Sequence, residues 1–123
     1  MNHGVRTLVY PVKDLDKAKG LYSRLLGAVP YVDSPYYVGW KVGEMDIGLD
    51  PNGHEAGLTG PVCYYHVDDI NTSLQALLEA GAQYVQAIRD VGDGSLIASF
   101  KDKDGNLFGL LQQAASQAER NEA

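Results

Sequence analysis

One pattern occurs twice in this chain of 123 residues. Tyr10 to Val32 reads YPVKDLDKAKGLYSRLLGAVPYV, and Tyr65 to Val85 reads YHVDDINTSLQALLEAGAQYV. In each, an apolar strand, an aspartate, an amphipathic helix, Gly-Ala and a second apolar strand follow in the same order. Val12, Asp14 and Leu15 match Val67, Asp69 and Ile70 at one constant offset. The length suits one compact domain. Two half-size copies must therefore share a core, and two similar walls can enclose a space between them.

The elements around the repeat complete each copy. VRTLVYPV, from Val5 to Val12, is apolar on both alternating faces and reads as a strand covered on both sides. Asp14 fits an N-cap, Ala18, Leu21, Tyr22 and Leu25 make a helical stripe, and Gly27 stops the helix. AVPYVD, YYVGWKV and EMDIGLD read as strands, with a turn at Gly43-Glu44, before the loop PNGHEAGLTGP. In the second copy PVCYYHV is the first strand, Asp69 caps a helix through Leu74, Leu77 and Leu78, and Gly81 stops it. AQYVQAIRDV, SLIASFKD and LFGLLQ follow, the last two joined by a hairpin turn at Asp104-Gly105. The expectation is an α+β fold: two strand-helix-three-strand modules, about 5–50 and 61–112, in a single domain over 1–112. Their curved sheets form a cleft, with the helices on the outside. The segment 113–123 has helix formers but no apolar stripe and is expected to be a flexible tail.

Charge narrows the partners. Ten Lys and Arg against sixteen Asp and Glu give a net charge of -6, a field that repels phosphate backbones, and no basic cluster rises above it. No nucleic acid is expected. No apolar run is long enough to cross a bilayer and no signal-peptide pattern opens the chain, so the expectation is a cytoplasmic protein without membrane contact. Cys63 is single and lies in an apolar strand, which reads as a small core residue. DKDGN, from Asp102 to Asn106, has its glycine too early and lacks the closing Glu of a calcium loop, so it reads as the hairpin turn.

The doubled module, PVKDLDKAKGLYSRLLGA, and the ending IASFKDKDGNLFGLLQ together resemble the vicinal oxygen chelate superfamily of glyoxalases, bleomycin-resistance proteins and extradiol dioxygenases. The resemblance runs from about Val5 to Gln112, with Lys103 where the family's turn usually has proline. It implies a glyoxalase-like fold, a homodimer, and a divalent metal held by His, Glu or Gln from the first and last strands of the modules, acting as a Lewis acid. Carried over by motif, those positions are Thr7 and Val62 on the first strands and Gly48 and Gly109 on the last. Three of the four have no donor side chain. The implication is a cleft with neither metal nor other cofactor.

If Thr7 and Val62 face the cleft, alternation brings Val9, Tyr64 and His66 to the same side. Gly109 brings Leu107 and Leu111 by the same rule, and Gly48 brings Glu44, Asp46 and Asp50. Of the adjacent pair Tyr36 and Tyr37 only one can point inward, taken as Tyr37, and Trp40 and Phe100 complete an aromatic wall. His3 lies near the terminus and His54 in a loop, whereas His66 reads either as a hydrogen-bonded strand-end histidine or as a ligand-contacting acid-base group. The expected function is metal-free binding of an aromatic or partly aromatic small molecule in the cleft. The alternative is a lyase or isomerase of the glyoxalase or dioxygenase kind with its chemistry moved to other residues.

Overall fold

The computed structural model of the chain describes residues 2–92 and 94–114. The first module consists of β1 (Asn2–Pro11), α1 (Leu15–Leu26), β2 (Val32–Ser34), β3 (Tyr37–Val42) and β4 (Met45–Asp50). The second repeats that order with β5 (Val62–Val67), α2 (Ile70–Glu79), β6 (Gln83–Asp90), β7 (Leu96–Lys101) and β8 (Leu107–Gln112). Most of the expected tail, from 115 on, lies outside the described residues. Among the described residues no helix is long and apolar enough to cross a membrane.

Local chemistry starts and stops the helices where the sequence places the signals. The Asp14 carboxylate accepts the Lys17 backbone N–H, and Gly27, at φ 64°, turns left-handed and donates its N–H to the Ser23 carbonyl. Asp69 accepts from the backbone N–H groups of Asn71 and Thr72, and the chain reverses through Gly81 at φ 104°. Two residues of the expected α1 stripe fall elsewhere: Leu21 and Leu25 are 64% and 69% exposed. Leu15, Ala18, Tyr22 and Leu26, spaced for one helical face, meet the sheet instead. Residues 28–31 were expected to begin β2 but stay outside it. Ala28 still closes the helix onto Ser23, and Pro30 has no N–H for a ladder.

The eight strands form one open sheet in the order β2-β3-β4-β1-β5-β8-β7-β6. Within each module the first strand runs parallel to the last, with Val9 opposite Gly48 and Tyr64 opposite Gly109. The modules join where β1 and β5 pair antiparallel: Leu8 faces Cys63, flanked by Thr7 with Tyr64 and Val9 with Val62. The repeat offset exchanges those two flanking pairs, so an approximate twofold axis passes between Leu8 and Cys63.

Both helices cover one side of the sheet. Under α1 lie Val38, Trp40, Ile47 and Leu49, and under Ile70 and Leu74 of α2 lie Val67, Ala98, Phe100 and Leu110. Trp40 and Phe100 therefore do not wall the cleft, contrary to the sequence expectation. Trp40 pairs with Ile47 and Phe100 with Phe108, the neighbours of Gly48 and Gly109, and adjacent residues on a strand point to opposite faces.

Candidate ligand-binding site

The face away from the helices is concave and contains a cavity of about 540 Å³ lined by both modules of the one chain. That volume is within the range of small-molecule sites. Thr7 and Val9 supply the centre from β1, Tyr37 one side from β3, and Tyr64 and Leu111 the other from β5 and β8. Ile97 comes from β7, Gln86 and Arg89 from β6, and Asp50, Asn52 and Ala56 from the end of β4 and the loop beyond it. The other end of the cleft is filled. Leu58, from the 51–61 loop, is 1% exposed and packs with Val9, Val62 and Tyr64, while Leu107 and Val85 lean on the same cluster.

Two glycines shape the tyrosine walls. A Cβ placed on Gly109 would overlap Cδ1 and Cε1 of Tyr64, and one on Gly48 would overlap the hydroxyl and Cζ of Tyr37. Each ring thus occupies the space that a side chain would need, and each glycine is buried beneath it. Burial pushes the Tyr64 hydroxyl up to about 12, with Arg89 pulling it down and Asp50 pushing it up. Tyr37 is raised as well, by burial first and then by Tyr31, Asp46, Tyr64 and Asp50. Both phenols are protonated hydrogen-bond donors at any physiological pH.

His66 shares the strand face of Tyr64 but is not among the residues lining the cavity. It is 6% exposed and shares a 2.9 Å hydrogen bond between its Nε2 and Thr7 Oγ1, tying β5 to β1 across the module junction. Burial holds its pKa below the usual histidine value; Arg6 and His3 act in the same direction and Asp46 opposes them. The unfolded chain, with a histidine pKa of about 6.5, then binds a proton more readily than the fold does. Stability from this residue is complete above that pH and declines as the pH falls below it. Urea unfolding at about pH 7.5 and 5.5 should show a larger loss for the wild type than for His66→Gln. Equal losses would remove the buried, neutral imidazole from the account.

Of the residues expected at the site, the structure brings Thr7, Val9, Tyr37 and Tyr64 to the cavity wall, joined by Leu111 and Asp50. Gly48 and Gly109 lie beneath tyrosine rings, Val62 and Leu107 in the filled end, and His66 outside the lining, bonded to Thr7. Asp46 accepts from the Tyr31 hydroxyl at 3.0 Å, outside the cavity lining. Asn52, Ala56, Gln86, Arg89, Asp90, Val91 and Ile97 line the cavity without having been expected there, and so does Tyr36. The expectation that only one of Tyr36 and Tyr37 faces inward fails because Tyr36 lies in the turn before β3, where strand alternation does not hold. For Ile97 a signal existed, because it is the repeat equivalent of Tyr37, opposite Leu111 as the strands pair.

The four positions at which the resemblance implies metal ligands do not form a donor set. They offer one hydroxyl, already bonded to His66, one buried valine and two glycines roofed by rings. Among the described residues no group of three or more His, Cys, Asp or Glu side chains is placed to hold a metal ion.

Comparison with solved structures finds this architecture repeatedly. Methylmalonyl-CoA epimerase from Mycobacterium tuberculosis superposes with a TM-score of 0.71 at 20% identity, over 95% of this chain and 92% of that one. A structure described as NAD-dependent benzaldehyde dehydrogenase from Legionella pneumophila gives 0.69 at 16% identity, over 88% and 98%. A glyoxalase/bleomycin resistance protein/dioxygenase superfamily member from Vibrio splendidus 12B01 gives 0.67 at 16%, over 92% and 100%. At such identities the likeness is one of fold. Comparison with curated proteins finds no match. The sequence profile of one family matches residues 4–110, nearly the whole of the doubled module, and the chain belongs to that family, the glyoxalase/bleomycin resistance protein/dioxygenase superfamily.

Proposed function

We propose that this protein is a small-molecule binding member of the superfamily, taking a planar, partly aromatic ligand into its cavity without a metal, in the manner of the antibiotic-binding resistance proteins. One observation carries the reading: at the last-strand positions Gly48 and Gly109 the cleft presents the rings of Tyr37 and Tyr64 instead of metal donors. Tyrosine rings grip flat organic groups by stacking, and the apolar Val9, Ile97 and Leu111 extend that surface. Cytoplasmic residence and a homodimer belong to the same proposal; composition supports the first, and the second rests on the resemblance and on the exposed Leu21 and Leu25 of α1.

The test is metal analysis of purified protein with and without added Ni, Zn, Mn and Fe, followed by chelator dialysis and a thermal-shift screen of aryl compounds. The expected result is no stoichiometric metal after dialysis and stabilisation by a subset of the aryl compounds, about 2.7 kcal/mol at a hundredfold excess over Kd. Retained stoichiometric metal, or a screen without a single stabilising compound, overturns the proposal, and retained metal redirects assays to lyase and isomerase chemistry.

A further inference from the structure

Resting on that reading of the cavity, we infer that the ligand is an aryl carboxylate, its ring lying against the tyrosine and aliphatic wall and its carboxylate held by the Tyr64 hydroxyl and the Arg89 guanidinium. The inference follows from which polar groups of the cavity already have partners. Tyr64 is 3% exposed and its ring is fixed between Gly109 and the Val9, Val62 and Leu58 cluster. Its hydroxyl nevertheless has no hydrogen-bond partner among the described residues. The ring is buried while the hydroxyl opens to the cavity, where it is a donor free for a ligand's acceptor. Arg89 lines the same cavity, acts electrostatically on the Tyr64 hydroxyl, and makes no ion pair among the described residues. The other lining charges are both carboxylates, each holding a neighbouring backbone N–H on one oxygen: Asp50 accepts the Asn52 N–H at 2.8 Å and Asp90 the Gly92 N–H at 2.7 Å. Even the Gln86 carbonyl oxygen is taken, by the Ser99 hydroxyl at 3.1 Å.

Arg89 is thus the one lining charge without a protein partner among the described residues, a planar cation whose geometry matches a carboxylate. Asp50 and Asp90, together with a net charge of -6, keep the site from being a general anion trap. A small anion without a ring has little to gain there, and the aryl group must supply a large share of the affinity.

The experiment is calorimetric titration of the full chain at neutral pH with 2-naphthoate, 2-naphthamide, 2-naphthylmethylamine and acetate, on wild type, Arg89→Gln and Tyr64→Phe. Naphthoate should bind at least about tenfold more tightly than the amide, as a charge-assisted hydrogen bond implies. Acetate should show no measurable heat. Arg89→Gln, at an exposed position, should bring acid and amide close to parity, and added salt should shrink the preference in the wild type alone. Tyr64→Phe should weaken the acid more than the amine. If aryl compounds bind irrespective of charge, or if Arg89→Gln keeps the acid preference, this inference falls while the binding function stands. If none of the naphthyl compounds binds, both fall.

Discussion

Trp40→Ala is expected to lower the free energy of unfolding by about 3–5 kcal/mol. Trp40 is 0% exposed and packs with Val38, Ile47 and Leu49 against the α1 face formed by Leu15, Ala18, Tyr22 and Leu26. Truncation removes the buried indole and leaves a cavity between two rigid elements that cannot close fully. Trp40→Phe provides an internal check. The indole Nε1 is buried without a hydrogen-bond partner, so this smaller change also removes an unpaired donor and should cost less than about 2 kcal/mol. Urea unfolding followed by circular dichroism measures both, since the chain has one tryptophan and both variants lose it. Affinity for a cavity ligand should be the same in Trp40→Phe as in wild type, because the cavity lies on the other side of the sheet. A truncation cost under about 1 kcal/mol, or a ligand affinity that follows Trp40, would return this residue to the cleft.

That contrast shows what one sequence carried and what it did not. The repeat, the caps at Asp14 and Asp69 and the turn glycines 27, 43, 81 and 105 are local or periodic features, and folding left them where the sequence put them. The face of Trp40 was equally available: a two-residue turn at Gly43-Glu44 pairs Val42 with Met45, hence Gly39 with Gly48, which turns Tyr37 inward and Trp40 outward. For Phe100 the same count misleads: a two-residue turn at Asp104-Gly105 would set it against Gly109 and the cleft, whereas the connection spans 102–106 and sets it against Phe108. Alternation alone therefore decides the face of Trp40, while that of Phe100 depends on a loop length that no periodicity reveals. Arg89 and Gln86 are another matter. β6 meets β7 with register shifts between Tyr84 and Gln86 and between Gln86 and Arg89, and such irregularities re-aim side chains in ways alternation cannot follow. The plug made by Leu58 depends on how the 51–61 loop folds back, with Gly53 so near Pro11 that a Cβ there would stand 2.7 Å from the proline Cβ. Nothing periodic announces such a contact.

The second large effect is expected at the two glycines under the tyrosines, with opposite balances of stability and binding. In Gly109→Ala the new methyl meets two carbons of a ring held by Val9, Val62 and Leu58, with the Ala98 carbonyl oxygen a further 3.1 Å contact. Neither neighbour can give way cheaply, and a loss of about 1–3 kcal/mol is expected from overpacking. The loss should depend on the ring: in a Tyr64→Ala background the same substitution should be nearly neutral, giving a coupling energy above about 1 kcal/mol in a double-mutant cycle. Gly48→Ala strikes the far end of Tyr37, whose ring is half-buried and reaches in from β3. That ring can swing outward, so stability should fall by less than about 1 kcal/mol while the cavity loses one wall and ligand affinity drops severalfold. A Gly109→Ala protein as stable as wild type, or additivity with Tyr64→Ala, would show that the ring is not seated as described. The pair of substitutions also bears on how this member of the superfamily works. At these two positions a side chain and a tyrosine wall exclude each other, so a chain that keeps both glycines has its cleft shaped for rings, and any residue able to bind a metal there would first have to displace one of them.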